Sequence, residues 1–194
     1  MEEVQTKRSL IPFDLPALGL TPLVREPFEF VVVPKFAPAK TVEWIANNWP
    51  DLGRSGGVPV ESVPLNQVMR TVIESFESDE FRDAIATKLG IDLVGKRRVI
   101  KLYDRCRGPG PIYVETPPNI AKVLFYPNVS SGTESDSDSC VRFTRGPDSL
   151  NDFVAEILPV AGTLAAFCCR PNAWHGRAAH FGRRNLLEIR WQDS

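Results

Sequence analysis

The absences in this chain narrow the field first. None of its apolar runs approaches the ~20 residues that a membrane-spanning helix needs. The start, Met1-Glu2-Glu3-Val4-Gln5, lacks the basic and apolar regions of a secretory leader. There are only four cysteines, Cys106, Cys140, Cys168 and Cys169, and none forms a Cys-x-x-Cys pair. That spacing favours neither a zinc ribbon nor a disulfide framework, so a reducing cytoplasm is the expected location. Charge of one sign is also lacking. The formal net charge of −1 gives no reason to expect nucleic acid or an anionic membrane as partner. The short basic runs Lys96-Arg97-Arg98 and Arg183-Arg184 read as solvated surface. Gly53-Arg54-Ser55-Gly56-Gly57 lacks the Gly-Lys-Ser/Thr ending of a phosphate loop and reads as an ordinary loop.

What is present is enough apolar material for a core, 43% of 194 residues, and length for one domain. Residues 1–27 are proline-rich without a sustained period and read as an extended N-terminal arm, able to lie on the domain or wrap a neighbour. The rest, 28–194, reads as a single domain with helical support over 38–90 and a β core over 96–192. Phe28 to Val33 is a strand run ended by Pro34. Three helices are expected after it. One lies near 38–48. A second runs from Leu65 to Phe76 with Val68, Val72 and Phe76 on one face. The third follows the N-cap Ser78, carries Phe81, Ile85 and Leu89, and stops at Gly90.

From residue 96 the period changes to two. Strands are expected at 97–104, 111–115, 120–127, 140–144, 153–157, 163–169, 174–178 and 184–191, with glycine- and proline-rich separators. Short strands at this spacing, after helices, give a mainly β, α+β fold, a double-stranded β-helix (jelly-roll or cupin-like) core with N-terminal supporting helices. The polar segment 129–139 alternates acidic residues but lacks the glycine and terminal glutamate of a calcium loop, and reads as solvated.

Several stretches of this β region carry a resemblance. Gly110-Pro111-Ile112-Tyr113-Val114-Glu115, then Leu158-Pro159-Val160-Ala161-Gly162-Thr163-Leu164-Ala165-Ala166-Phe167, Trp174-His175-Gly176 and Arg183-Arg184 occur in that order. The chain resembles, over roughly 28–192, the small bacterial type of the Fe(II)- and 2-oxoglutarate-dependent oxygenase superfamily. The resemblance implies a site in which two histidines and a carboxylate bind one face of Fe(II), leaving open positions for a 2-oxoacid and oxygen. It places His175 on the distal histidine and Arg184, nine residues on along a neighbouring strand, on the carboxylate anchor of the 2-oxoacid. Glu115 falls on the metal-binding aspartate and Tyr113 on the first histidine.

Glutamate carries one methylene more than aspartate, and a neutral phenol is a poor ligand for Fe(II). Tyr113, Glu115 and His175 are therefore candidate catalytic residues, with Arg184 binding a cofactor or ligand carboxylate. Glu115 and His175 are the candidate metal ligands if a metal binds. His180 lies in the turn between His175 and Arg184 and has no obvious substitute role. Three readings follow. The first is an oxygenase-like protein that no longer runs iron chemistry, either a metal-independent tailoring enzyme for a small molecule or a non-catalytic subunit of a related oxygenase, as homo- or hetero-oligomer. The second is a working oxygenase with Fe(II), 2-oxoglutarate and an atypical site. The third is a binding module for a small carboxylate.

Overall fold

A computed structural model describes residues 11–107, 110–127, 140–177 and 181–193. The loop 129–139 and His180 lie outside the described residues. Among the described residues, four α-helices precede the long strands. α1 (Leu15–Leu20) falls within the segment expected to be extended. Six residues are too few to show a helical period. The local chemistry makes the helix instead: the Asp14 carboxylate accepts from the Ala17 amide, Pro16 fits the first turn, and Leu18 is fully buried. α2 (Ala39–Asn47) buries Val42 and Ile45. α3 (Gln67–Glu77) is capped by the Asn66 side chain and turns Met69, Val72, Ile73 and Phe76 inward. α4 (Asp79–Leu89) starts at the Ser78 hydroxyl and ends at Gly90, whose φ of 68° is the left-handed stop that glycine adopts without strain. Its last-turn Lys88 donates to the carbonyls of Gly19 and Thr21 and so ties α4 to the end of α1. No helix among the described residues is long and apolar enough to cross a membrane.

The β core is two antiparallel sheets. The larger contains β1 (Phe30–Val33), β2 (Val58–Pro59), β3 (Arg97–Arg107), β5 (Asn119–Tyr126), β8 (Thr163–Cys168) and β10 (Phe181–Gln192), in the order β1-β8-β5-β10-β3-β2. The smaller contains β4 (Gly110–Tyr113), β6 (Val141–Thr144), β7 (Phe153–Ile157) and β9 (His175–Arg177), in the order β4-β9-β6-β7. This is the mainly β jelly-roll architecture with helices on one side. Cys140 and Cys168 are buried.

The two faces of the large sheet are both covered, and side-chain alternation sorts residues between them. On β5, Ala121, Val123 and Phe125 face the helices, whereas Leu124 and Tyr126 face the smaller sheet. On β10, Leu187, Ile189 and Trp191 join the helix side, and Leu186 joins the inter-sheet side. Phe125 sits at the centre of the helix-side core, with its ring 5.3 Å from that of Phe76 and 5.6 Å from that of Phe13. Phe125→Ala is expected to cost about 3–5 kcal/mol, read as a lower urea midpoint with an unchanged slope. A loss under about 1 kcal/mol would show that this side of the sheet is not the packed core.

Candidate functional site

The same alternation puts charge into the interior. Between Ala121 and Val123 on β5, Lys122 points with Leu124 toward the smaller sheet and is 2% exposed. On β10 the interior positions are held by Leu186, Glu188 and Arg190, and Lys122 pairs in register with Arg190. These charges surround one end of a cavity of about 240 Å³ between the sheets, lined among others by Tyr103, Tyr113, Lys122, His175, Arg184 and Glu188.

β4 ends at Tyr113, directly opposite His175 at the start of β9, so the two rings meet with centroids 4.4 Å apart. Glu115 was expected inside the strand. It lies two residues beyond its end, and its carboxylate nevertheless turns inward and is buried. Arg184 was expected on a strand neighbouring that of His175. β9 and β10 are consecutive in the chain but belong to different sheets, so the two side chains reach the cavity from opposite walls. All four predicted site residues thus line or adjoin one interior space.

Lys122 organises it. Its Nζ lies 2.7 Å from Glu115 Oε1, 3.1 Å from Glu188 Oε2 and 3.1 Å from Tyr113 Oη. The ammonium has three N–H donors and three oxygen partners. Burial alone would lower its pKa, but the facing Glu188 and Glu115 outweigh burial and raise it, which holds the group charged. Glu115 is satisfied on both oxygens. Oε2 accepts from Asn119 Nδ2 at 3.1 Å and lies 3.5 Å from Arg190 Nη1. Burial would push this carboxyl up as well. The neighbouring cations Lys122 and Arg190 hold it down instead. Glu188 Oε1 takes Arg190 Nη2 at 3.0 Å and the Tyr103 hydroxyl at 3.2 Å.

Two buried groups are left over. His175 Nδ1 lies 2.9 Å from the Ala173 carbonyl, so Nδ1 carries the proton and donates, leaving Nε2 as a bare lone pair. That nitrogen has no hydrogen-bond partner and stands 3.7 Å from Glu115 Oε1. Arg184 is 2% exposed, none of its guanidinium nitrogens has a hydrogen-bond partner, and its guanidinium carbon lies 5.0 Å from the centre of the Tyr126 ring. Lys122 and Arg190 balance Glu115 and Glu188, so Arg184 is a surplus buried cation on the cavity wall. Among the described residues no group of three or more His, Cys, Asp or Glu is arranged to hold a metal ion.

Sequence reasoning missed Lys122, Glu188, Arg190, Tyr103 and Asn119. A signal existed: a lysine inside the run Ala121-Lys122-Val123-Leu124-Phe125 is costly on a strand covered on both sides. Glu188 and Arg190 alternate with Leu187, Ile189 and Trp191, a pattern that also describes a strand with one solvated face.

Solved structures place the architecture. A prolyl 4-hydroxylase from Pseudomonas putida matches with a TM-score of 0.62 and 15% identity, over 96% of this chain and 99% of that one. A prolyl hydroxylase from Trichoplax adhaerens, solved with a hypoxia inducible factor oxygen degradation domain peptide, matches with a TM-score of 0.60 and 13% identity, over 92% and 87%. A viral collagen prolyl hydroxylase from Paramecium Bursaria Chlorella virus-1, in complex with 2-oxoglutarate, matches with a TM-score of 0.57 and 11% identity, over 85% and 96%. No protein-family model and no curated protein matches the sequence. The chain therefore has the fold of the Fe(II)/2-oxoglutarate oxygenases, and the likeness at this identity concerns the fold alone.

Glu115 also sets a pH dependence. Its folded value of about 2 lies below the ordinary 4.5, so its contribution to stability is complete above about pH 4.5 and is lost as pH falls toward 2. Urea unfolding from pH 7 down to 2 should show a steeper decline in the wild type than in Glu115→Gln. At pH 7 that variant is expected to lose about 3–5 kcal/mol, because Lys122 keeps its charge and loses a buried partner. Equal slopes in the two proteins would remove Glu115 from the ion-pair network.

Proposed function

We propose that the chain is a metal-independent tailoring enzyme that binds a small carboxylate in an oxygenase-like fold. The observation that carries this reading is the pair of buried, unpartnered groups on one cavity, the Arg184 guanidinium and His175 Nε2. A buried cation without an anion is expensive, and a ligand carboxylate supplies the missing charge through two parallel N–H···O bonds. The cavity of about 240 Å³ suits a small acid. A lone-pair nitrogen beside the ligand is a general base. The Tyr113 oxygen accepts from Lys122 and keeps its own hydrogen to give, which makes it the complementary acid. Glu115 is locked as an ion-pair partner and serves the charge balance rather than proton transfer. Buried free thiols agree with a reducing, cytoplasmic setting.

The donor set argues against the iron that the fold family uses. A cation bound by both Glu115 Oε1 and His175 Nε2 at ordinary lengths of about 2.0–2.2 Å would stand within about 5 Å of Lys122 Nζ, because that ammonium is 2.7 Å from the same oxygen. At an effective dielectric of ~20, a divalent charge at that range is repelled by roughly 6–7 kcal/mol. The residues present do not fit the metal.

Titration calorimetry with glutarate and 2-oxoglutarate tests the reading. Both are expected to bind within about threefold of each other with or without EDTA. Arg184→Gln is expected to weaken both by at least ~30-fold, the effect of removing one partner of a buried charge pair. Turnover of a carboxylate substrate should persist in EDTA and fall in His175→Gln. Binding without turnover would make the chain a non-catalytic partner subunit. A 2-oxoglutarate that binds tens of fold tighter only with Fe(II) would restore the oxygenase.

A further inference from the structure

We propose that Lys122 is a built-in replacement for a divalent cation, a tethered ammonium that fills the charge position between Glu115, Glu188, Tyr113 and His175 and keeps it closed to free metal. The proposal rests on the metal-independent reading above and names the residue that enforces it.

Four observations meet at this residue. The ammonium is central: it lies within 3.1 Å of oxygens from β10, from the end of β4 and from the segment beyond it, so it joins both sheets at one point. It takes the atom a metal would need, since Glu115 Oε1 faces His175 Nε2 at 3.7 Å and is already bonded to Nζ at 2.7 Å. It is inaccessible, at 3% side-chain exposure, with Glu115 and Glu188 also buried, so it cannot swing into solvent without leaving the two carboxylates to share Arg190 alone as their cation. Finally, it is occupied. Two hydrogen bonds, to Glu115 and Tyr113, and the ion pair with Glu188 engage it, and no lone pair exists on a charged ammonium, so Lys122 is not a nucleophile.

The last point separates the lysine from the ion it replaces. A metal held on one face by protein ligands keeps open positions and can chelate the two oxygens of a 2-oxoacid. An ammonium keeps none. The charge needed to hold Glu115 and Glu188 together is thus supplied covalently, by one residue of β5, and the ligand is left with Arg184 as its cationic anchor. Lys122 is a specificity-determining residue of the site by what it excludes.

The wild-type protein gives the first test. It has two histidines, so the ring resonances of His175 are separable from those of His180 with a His180→Ala variant for assignment. Manganese(II) at millimolar concentration is expected to leave the His175 ring signals unbroadened. Broadening that saturates at one ion per chain would overturn the proposal, whatever happens to carboxylate binding. The second test removes the tether. Lys122→Met removes the ammonium that Glu115 and Glu188 share and leaves Glu115 facing His175 Nε2, and it is expected to take up about one cobalt(II) per chain, read by visible absorption and by a raised melting temperature. Lys122→Arg, which keeps the charge, is expected to take up none. If Lys122→Met unfolds without metal, cobalt(II) is expected to restore its cooperative transition. A folded Lys122→Met that binds no cobalt, or an unfolded one that cobalt does not rescue, would show that the lysine is not standing in for a cation. Loss of carboxylate affinity in Arg184→Gln is read separately, so the ligand reading can fail while this one holds.

Discussion

The interaction on which the rest of the site depends is the buried contact of Lys122 with Glu115 and Glu188. Charges this deep persist only when each is matched and hydrogen-bonded. Here the ammonium is matched to two carboxylates, Arg190 reaches both of them, and Asn119 and Tyr103 take remaining oxygens. The arrangement links the smaller sheet, through Tyr113 and the chain just past β4, to β5 and β10 of the larger one. It therefore does structural and functional work at once: the charges that hold the sheets in register also set the electrostatics of the cavity between them.

That network is possible because the helices cover the outer face of the large sheet. Once Val123, Phe125, Leu187 and Ile189 are committed to the helix side, every second residue of β5 and β10 must face the other sheet. Most of those positions are apolar, and Leu124, Tyr126 and Leu186 complete an ordinary core with Phe143 and Phe167. Lys122, Glu188 and Arg190 occupy the remaining ones. A one-residue slip of β5 against β10 would throw the charges into the aromatic core beneath the helices and leave apolar groups around the cavity. The polar positions thus act against wrong registers while the apolar ones drive collapse.

The fold was largely legible because its signals are local. Ser78 and Gly90 bracket α4, and the proline and glycine separators bracket most of the strands, so the elements could be read without their partners. α1 was not, because two turns offer no period and its cap, Asp14, sits in a proline-rich stretch. Within the site, Tyr113, Glu115, His175 and Arg184 could be picked out only through the order of motifs, and the structure sets them around one cavity. The opposite walls taken by His175 and Arg184 were not legible, since consecutive strands in a chain need not share a sheet. Lys122 was missed for a different reason. A single lysine between apolar neighbours looks like a solvated edge until it is known that both faces of β5 are covered.

Three of the cations at the cavity differ in standing. Lys122 and Arg190 are paired with carboxylates of the protein, whereas Arg184 lies over the Tyr126 ring and its guanidinium nitrogens have no hydrogen-bond partner. Cation–π contact offsets part of the cost of burying a guanidinium, on the order of 1–2 kcal/mol, well short of what losing its hydration demands. The protein could have matched this residue as thoroughly as it matched Lys122, since Glu188 lies four residues away on the same strand. Under the proposed reading, an anion carried by the ligand completes the site at Arg184, on the wall facing His175.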